Sequence, residues 1–403
     1  MDKVYENERR FFTTAATLLS LTLFAITANM TAAIAKQLGM DFGLSEARLV
    51  QRIFPIQFTG FTILCFLGGA ASDRWGKRLT LLASCLMMVV GSCVMTFARA
   101  LWVVYLAAVI IGMGGGIMET VASAGLTDLH PNRSKMFMNL SQVFYCAGAI
   151  SVGSLVGIFT EKGATWPTFY VAVAILSFLL TIAFSVSRFP KKISETTKSD
   201  VSWGKQFKQL LPYIWLPSLA VFLYVYSETS FYAFGPNYLK QLGASDLVST
   251  LSIAVFWGAV VIGRIACSFL PQKQSYEPII CVMFFFAGLA GLSLCFATGA
   301  TSGLICLGLT GLFCAGTWPL LVSMTASRNM KYSGTATGIV IGCGAVGCVL
   351  SPLTLGTVFD QGRTTMAFML LGGSFLLGML CTIGIYIQYQ RQLRRQATAS
   401  EAK

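Results

Sequence analysis

Histidine is almost missing from this chain: His130 is the only one among 403 residues. Charge is scarce too, with Asp, Glu, Lys and Arg together making up 11% of the sequence, against about a quarter in a soluble globular domain. The 12 cysteines include no Cys-x-x-Cys pair, and all of them fall inside apolar runs. A zinc site needs clustered thiolates and imidazoles, and a disulfide framework needs cysteines in polar, loop-rich sequence. Neither is available, so the cysteines are read as small apolar packing residues. No nucleophile–base pair stands out. The run Gly112-Met-Gly-Gly-Gly116 is no phosphate loop, because it sits within an apolar segment and lacks a strand–turn–helix setting. An enzyme finds no support here.

Apolar sequence is what the chain has in quantity: 55% hydrophobic residues and a mean hydropathy of +0.70. Stretches of 18 or more apolar residues read as membrane-spanning helices, and about twelve fill nearly the whole chain, the first near residues 11–35 and the last near 364–389. The first is too long for the apolar core of a signal peptide and no small-residue cleavage site follows it. The expected fold is an all-α membrane protein of twelve transmembrane helices. A net charge of +13 would suit nucleic acid, but its distribution does not. With the N-terminus inside, 22 of the 29 Lys and Arg fall on the cytoplasmic side and 7 on the outer side. The basic charge is therefore a topology signal that predicts both termini in the cytoplasm and a multi-pass protein of a plasma or bacterial inner membrane.

The longest internal polar stretch, residues 188–208, separates six spans from six. It divides the chain into an N-terminal half (1–188), a cytoplasmic linker (189–208) and a C-terminal half (209–403). Internal repetition supports two pseudo-symmetric six-helix halves. Gly157-Ile-Phe-Thr-Glu-Lys-Gly163 returns as Gly356-Thr-Val-Phe-Asp-Gln-Gly362, a shift of 199, and the same shift carries Gly112 onto Gly311 and Gly148 onto Gly347. Lys36-Gln-Leu-Gly39 returns as Lys240-Gln-Leu-Gly243 at a shift of 204. Glycines in the fourth, fifth and eleventh spans are expected to let backbones pack closely, and Pro236, Pro319 and Pro352 are expected to interrupt their helices.

Between the second and third spans lies Gly69-Ala-Ala-Ser-Asp73-Arg74-Trp75-Gly76-Lys77-Arg78. Gly69 permits close helix approach, Gly76 a sharp reversal, Asp73 can sit at a helix end, and the cations hold the turn on the cytoplasmic side. The run resembles the G-x-x-x-D-R-x-G-R/K-R/K loop signature of the major facilitator superfamily. That resemblance implies two six-helix halves rocking about a midplane cavity, with Gly69, Asp73, Arg74, Gly76, Lys77 and Arg78 serving the conformational cycle. Gly263-Arg264, after the eighth span, looks like a degenerate echo of the turn, so Arg264 is placed in the same group.

Only Glu119 and Glu228 lie well inside spans. A buried carboxylate is kept for pairing, for proton exchange or for lining a wet cavity. Asn139 and Gln142 are three apart and share a helix face. Amides offer a donor and an acceptor each, as hydroxyl-rich neutral substrates require, and Tyr224, Tyr232, Trp257 and Trp318 offer flat apolar faces. Glu119 followed by Asn139-x-x-Gln142-x-Phe144-x-x-x-Gly148 is similar to the fucose/glucose/galactose group of proton symporters. So are Tyr224-Val-x-x-Glu228-x-Ser and Gly311-Leu-Phe-Cys-Ala-Gly-Thr-Trp-Pro319. The resemblance implies proton coupling at Glu119 and Glu228 and substrate contacts from Asn29, Asn139, Gln142, Tyr145, Tyr224, Glu228, Tyr232, Trp257 and Trp318. The chain departs from that group in two places: Ala28-Asn29-Met30-Thr31-Ala32 holds no acid, and Tyr145 stands where asparagine is frequent.

The expected function is a secondary transporter that imports a monosaccharide or similar small polar solute by alternating access. The expected coupling ion is a proton, with sodium as the alternative. No cofactor, no metal and no nucleic acid are called for. The partners are the small-molecule substrate and the lipid bilayer, and the chain is expected to be a monomer. The alternatives are an exporter or a carrier of an organic anion, nucleoside or drug, and a non-transporting membrane sensor.

Overall fold

The structure is a computed structural model that describes residues 2–190 and 203–401; most of the polar linker at 189–208 lies outside the described residues. The secondary structure described is helical, without strands. The helices are α1 (Asp2–Ala33), α2 (Ala35–Phe42), α3 (Glu46–Trp75), α4 (Lys77–Thr96), α5 (Leu101–Leu129), α6 (Ser134–Glu161) and α7 (Trp166–Val186), followed by α8 (Trp203–Gln241), α9 (Asp246–Ser268), α10 (Tyr276–Ser293), α11 (Ala300–Cys314), α12 (Thr317–Arg328), α13 (Ser333–Asp360) and α14 (Thr364–Glu401). Twelve helical spans are long and apolar enough to cross a membrane, from Arg9–Ala33 to Thr364–Arg394, with α11 and α12 together making the tenth. The short α2 lies outside the spans, and hydropathy gives no sign of it.

Two compact units are present. One is Met1–Phe207 with Ala326–Gly342, and the other is Lys208–Thr325 with Cys343–Lys403. Within the first, α3 and α4 pack on α5, α4 also packs on α7, and α1 packs on α6. Within the second, α9 and α10 pack on α11, and α10 also packs on α14. Three pairings of the first unit therefore return in the second, in the same order along the chain.

Glycine sets the helix spacing at matching places. A Cβ on Gly112 would lie 1.9 Å from the Gln57 carbonyl oxygen, and one on Gly311 would lie 2.6 Å from that of Phe256. Both glycine and partner are shifted by 199 (311 − 112 and 256 − 57). Gly148 likewise meets the Thr22 oxygen at 2.5 Å and Gly347 the Phe222 oxygen at 2.7 Å. Lipid gives helices no hydrophobic drive to associate, so backbone-to-backbone packing carries the contact. Gly153 and Gly157 share the fifth span with Gly148 but do not act as spacers: a Cβ added at either would meet nothing within 4 Å.

Helix ends repeat as well. Gly163 and Gly362 both have positive φ (88° and 72°). In each case the glycine N–H donates to the carbonyl three residues back and the next N–H to the carbonyl five before itself. This is the left-handed glycine stop that satisfies the last orphan carbonyls of a helix. Gly243 ends α8 in the same way, at φ 83°. Its counterpart in the first unit is Gly43 (φ 65°), a shift of 200, whereas Gly39 is helical inside α2. The Lys-Gln-Leu-Gly correspondence at a shift of 204 is therefore a coincidence of spelling.

The prolines correct a second expectation. α8 runs through Pro236 and α13 through Pro352 without interruption. The break in the tenth span falls at Ala315 and Gly316, ahead of Pro319. Pro319 occupies the first turn of α12, where a missing N–H costs little.

Candidate functional site

The run from Gly69 to Arg78 shows what its residue types are for. Gly76 joins α3 to α4 at φ 86° and ψ 149°, a conformation that side chains disfavour. Gly69 presses on the start of α13, where an added Cβ would lie 2.2 Å from the Gly334 oxygen. The Asp73 carboxylate accepts hydrogen bonds from the Gly334 N–H (3.1 Å), the Thr335 N–H (2.7 Å) and the Thr335 hydroxyl (2.8 Å). It thus places a negative charge on the free donors and positive dipole end of a helix. Lys77 is buried and pairs with Asp128 at 2.5 Å, and the Ser333 hydroxyl touches both. Arg74 is exposed, and the Arg78 guanidinium donates to the Ser185 carbonyl. Asp73 and Lys77 therefore fasten the first turn of α13, within the first unit.

Arg264 does not belong with that turn. α9 continues beyond it to Ser268, so no reversal occurs there. The side chain is buried (3% exposed) and lies 3.7 Å from the Glu228 carboxylate, which also accepts from the Tyr224 hydroxyl at 2.6 Å. Arg264 Nε further donates to the Ala315 carbonyl at 3.3 Å. A helix interrupted inside a membrane leaves carbonyls that protein groups must satisfy. Arg264 satisfies one of them while holding the acid deep in α8. Tyr232 and Trp257 pack with their rings tilted at 47° and centroids 5.2 Å apart, and are half-buried. Trp318 is buried in the first turn of α12.

In the first unit the structure brings Glu119 and Gln142 together. Glu119 is 5% exposed in α5, and its carboxylate accepts from the Gln142 amide of α6 at 3.3 Å. Asn139, one turn earlier on α6, is fully buried. Its amide donates to the Lys135 carbonyl of its own helix at 2.9 Å, and among the described residues its side-chain oxygen has no hydrogen-bond partner. Asn139 and Gln142 share a helix face, yet only Gln142 reaches Glu119. Asn29 is half-buried and bonds back to the Ala25 carbonyl at 2.8 Å. Tyr145 packs against Phe24 at 5.7 Å, and Phe24 stacks on Phe61 at 5.2 Å.

One buried amide lies outside the sequence-predicted set. Gln57 of α3 donates to the Thr27 carbonyl at 3.3 Å and accepts from the Thr31 hydroxyl at 3.5 Å, joining α3 to α1 at residues two before and two after Asn29. An amide alone in an apolar run is the signal that could have found it.

The chain as a whole is similar to known proteins. Residues 12–309 match the family model of the Major Facilitator Superfamily. The chain is 22% identical over 369 residues to a glucose/mannose transporter, GlcP, of Bacillus subtilis, covering 87% of this chain and 88% of that one. It is 26% identical over 363 residues to a nitrite extrusion protein of the same organism, with the same coverage. Among solved structures, the fucose:proton symporter FucP of E. coli superposes with a TM-score of 0.81 at 17% identity, over 92% of this chain and 98% of that one.

Proposed function

The chain belongs to the Major Facilitator Superfamily, a family of integral multi-pass transporters, and on that premise we propose that it imports a monosaccharide or similar hydroxyl-rich solute together with a proton. One observation carries the reading: a carboxylate inside α5 and an amide inside α6 share a buried hydrogen bond between Glu119 and Gln142. A carboxylate only accepts, whereas a protonated carboxyl also donates. Protonation of Glu119 adds a donor beside an amide that can present either its NH2 or its oxygen, so the proton can reset the bond that positions Gln142. The group that reads substrate hydroxyls and the group that takes the proton are then coupled through one bond. Glu228 is engaged by Arg264 and Tyr224, which fits it for holding structure or substrate. The sugar assignment draws on the fucose:proton symporter and the glucose/mannose transporter that the chain resembles. We place both termini in the cytoplasm from the distribution of Lys and Arg.

The test is counterflow in proteoliposomes across a panel of sugars, followed by uptake under an imposed pH gradient. Glu119→Gln should keep exchange of the best sugar and lose pH-driven accumulation. Accumulation by that variant would remove Glu119 from the coupling step. A second reading, extrusion of a small anion, draws on the nitrite extrusion relative and on the buried guanidinium of Arg264. It predicts counterflow with nitrite and none with sugars.

A further inference from the structure

A groove of about 760 Å³ lies between α1 and α6 in the first unit, and neither Glu119 nor Gln142 lines it. Its lining is divided. Arg10, His130, Asn132 and Arg133 stand at its mouth, where the two spans start; Leu18, Leu19, Leu140 and Phe144 line it further along the helices. Among the described residues that line it, none is acidic. Arg10 and Arg133 are exposed, and so are the apolar Phe11 (76%) and Leu19 (53%). His130 is held at the mouth by the Thr14 hydroxyl at 2.7 Å and by stacking on Phe137 with ring centroids 3.5 Å apart. Both arginines lie close enough to it to help burial press its pKa down to about 4, so it is a neutral hydrogen-bonding group at neutral pH.

Depth and charge together select an occupant. Arg10 and Arg133 stand within the first turn or so of the spans Arg9–Ala33 and Pro131–Glu161, at the edge of the apolar layer. Leu19 and Phe144 lie nine and eleven residues further along, roughly 14 to 17 Å at a rise of about 1.5 Å per residue. That is about half of the ~30 Å hydrocarbon core, the depth of one leaflet. A free inorganic anion would leave this apolar length unused, and a zwitterionic lipid would bring its own cation to two guanidiniums. We propose that the groove binds one anionic phospholipid, with the phosphodiester on Arg10 and Arg133 and an acyl chain along Leu19, Leu140 and Phe144.

The test uses the purified full chain, delipidated and titrated with phosphatidylglycerol or phosphatidylcholine, with native mass spectrometry counting bound lipid and thermal melting reading stabilisation. Each arginine at a membrane surface favours an anionic headgroup by a factor of about five, so the pair should give phosphatidylglycerol about a thirtyfold advantage. Arg10→Gln with Arg133→Gln should erase that advantage. Leu19→Trp, which fills the groove but keeps both charges, should weaken both lipids. Because Arg10 also donates to the Leu129 carbonyl, the double variant could misfold, and Arg133→Gln alone should then cost about fivefold. An unchanged preference in these variants, or equal stabilisation by glycerol phosphate without acyl chains, would overturn the proposal.

Discussion

Asp73→Asn isolates one contact whose worth can be worked out. Asp73 is buried (9% exposed) and serves three donors with two oxygens: Gly334 N–H, Thr335 N–H and the Thr335 hydroxyl. Asparagine has nearly the same shape but only one accepting oxygen, so its NH2 must face at least one of these donors. The loss includes one hydrogen bond to a charged group, about 1.5–3 kcal/mol, and the interaction of that charge with the helix N-terminus, about 0.3–1 kcal/mol. Part of this returns through the new amide's other contacts, which leaves roughly 2–3 kcal/mol against the docked start of α13. The population in which that turn is open should rise roughly 30- to 150-fold. Hydrogen exchange reports this directly, because amides in the peptide containing Gly334 and Thr335 exchange through such openings. The expected result is a matching rise in their exchange rate, with slower net transport and unaltered equilibrium binding of substrate. Arg74→Gln, at an exposed position, should leave the peptide as it was. Protection in Asp73→Asn that stays within about threefold of the parent would mean that these bonds do not hold the turn.

Three other perturbations test separate parts of the account. Gly69→Ala puts a methyl 2.2 Å from the Gly334 oxygen and should destabilise by about 1–3 kcal/mol or more in chemical denaturation, whereas Gly153→Ala, with open space around it, should be neutral or slightly stabilising. Glu228→Gln and Arg264→Met should each cost about 3–5 kcal/mol by stranding a buried partner, and the double variant should cost clearly less than their sum; strict additivity would deny the pairing. The pKa of His130 is lowered to about 4 by burial and then by Arg10 and Arg133. The unfolded chain therefore binds the extra proton first as pH falls below about 6.5. Stability present above that pH should decline toward pH 4, and His130→Asn should flatten this part of a melting-temperature profile; an unchanged slope would place the effect elsewhere.

How much can be read in advance differs between residues for physical reasons. Spans are legible because membrane thickness imposes a length and hydropathy measures it. Gly76 and Gly69 are legible because only a residue without a side chain fits their positions, whatever lies opposite. Arg264 is misplaced by its sequence because its immediate neighbours resemble a turn, while its partner Glu228 stands 36 residues away in another helix (264 − 228). Lys77 and Asp128 are both visible as charges at span ends, but nothing local says that they meet. Prolines point away from the interruption at Ala315 and Gly316, because a helix in lipid keeps its path through Pro236 and Pro352 when other groups take up the freed carbonyls. The sites legible from resemblance, Glu119 and Gln142, do come together; Asn139 turns back on its own helix instead.

The glycine spacers bear on how such a chain can change over time. At Gly112 and Gly311 the opposing surface is a main-chain carbonyl, of Gln57 in one unit and Phe256 in the other. The nearest atom is one that every residue carries, so an amide serves in one copy and a phenyl group in the other, although the Phe256 ring also comes within 3.2 Å of the added Cβ. A contact of this kind demands the absence of a side chain at one point and asks much less of the side chain at the other. Such a partner tolerates more substitutions than the glycine does, so a framework built on these contacts can change much of its sequence and keep its helix spacing.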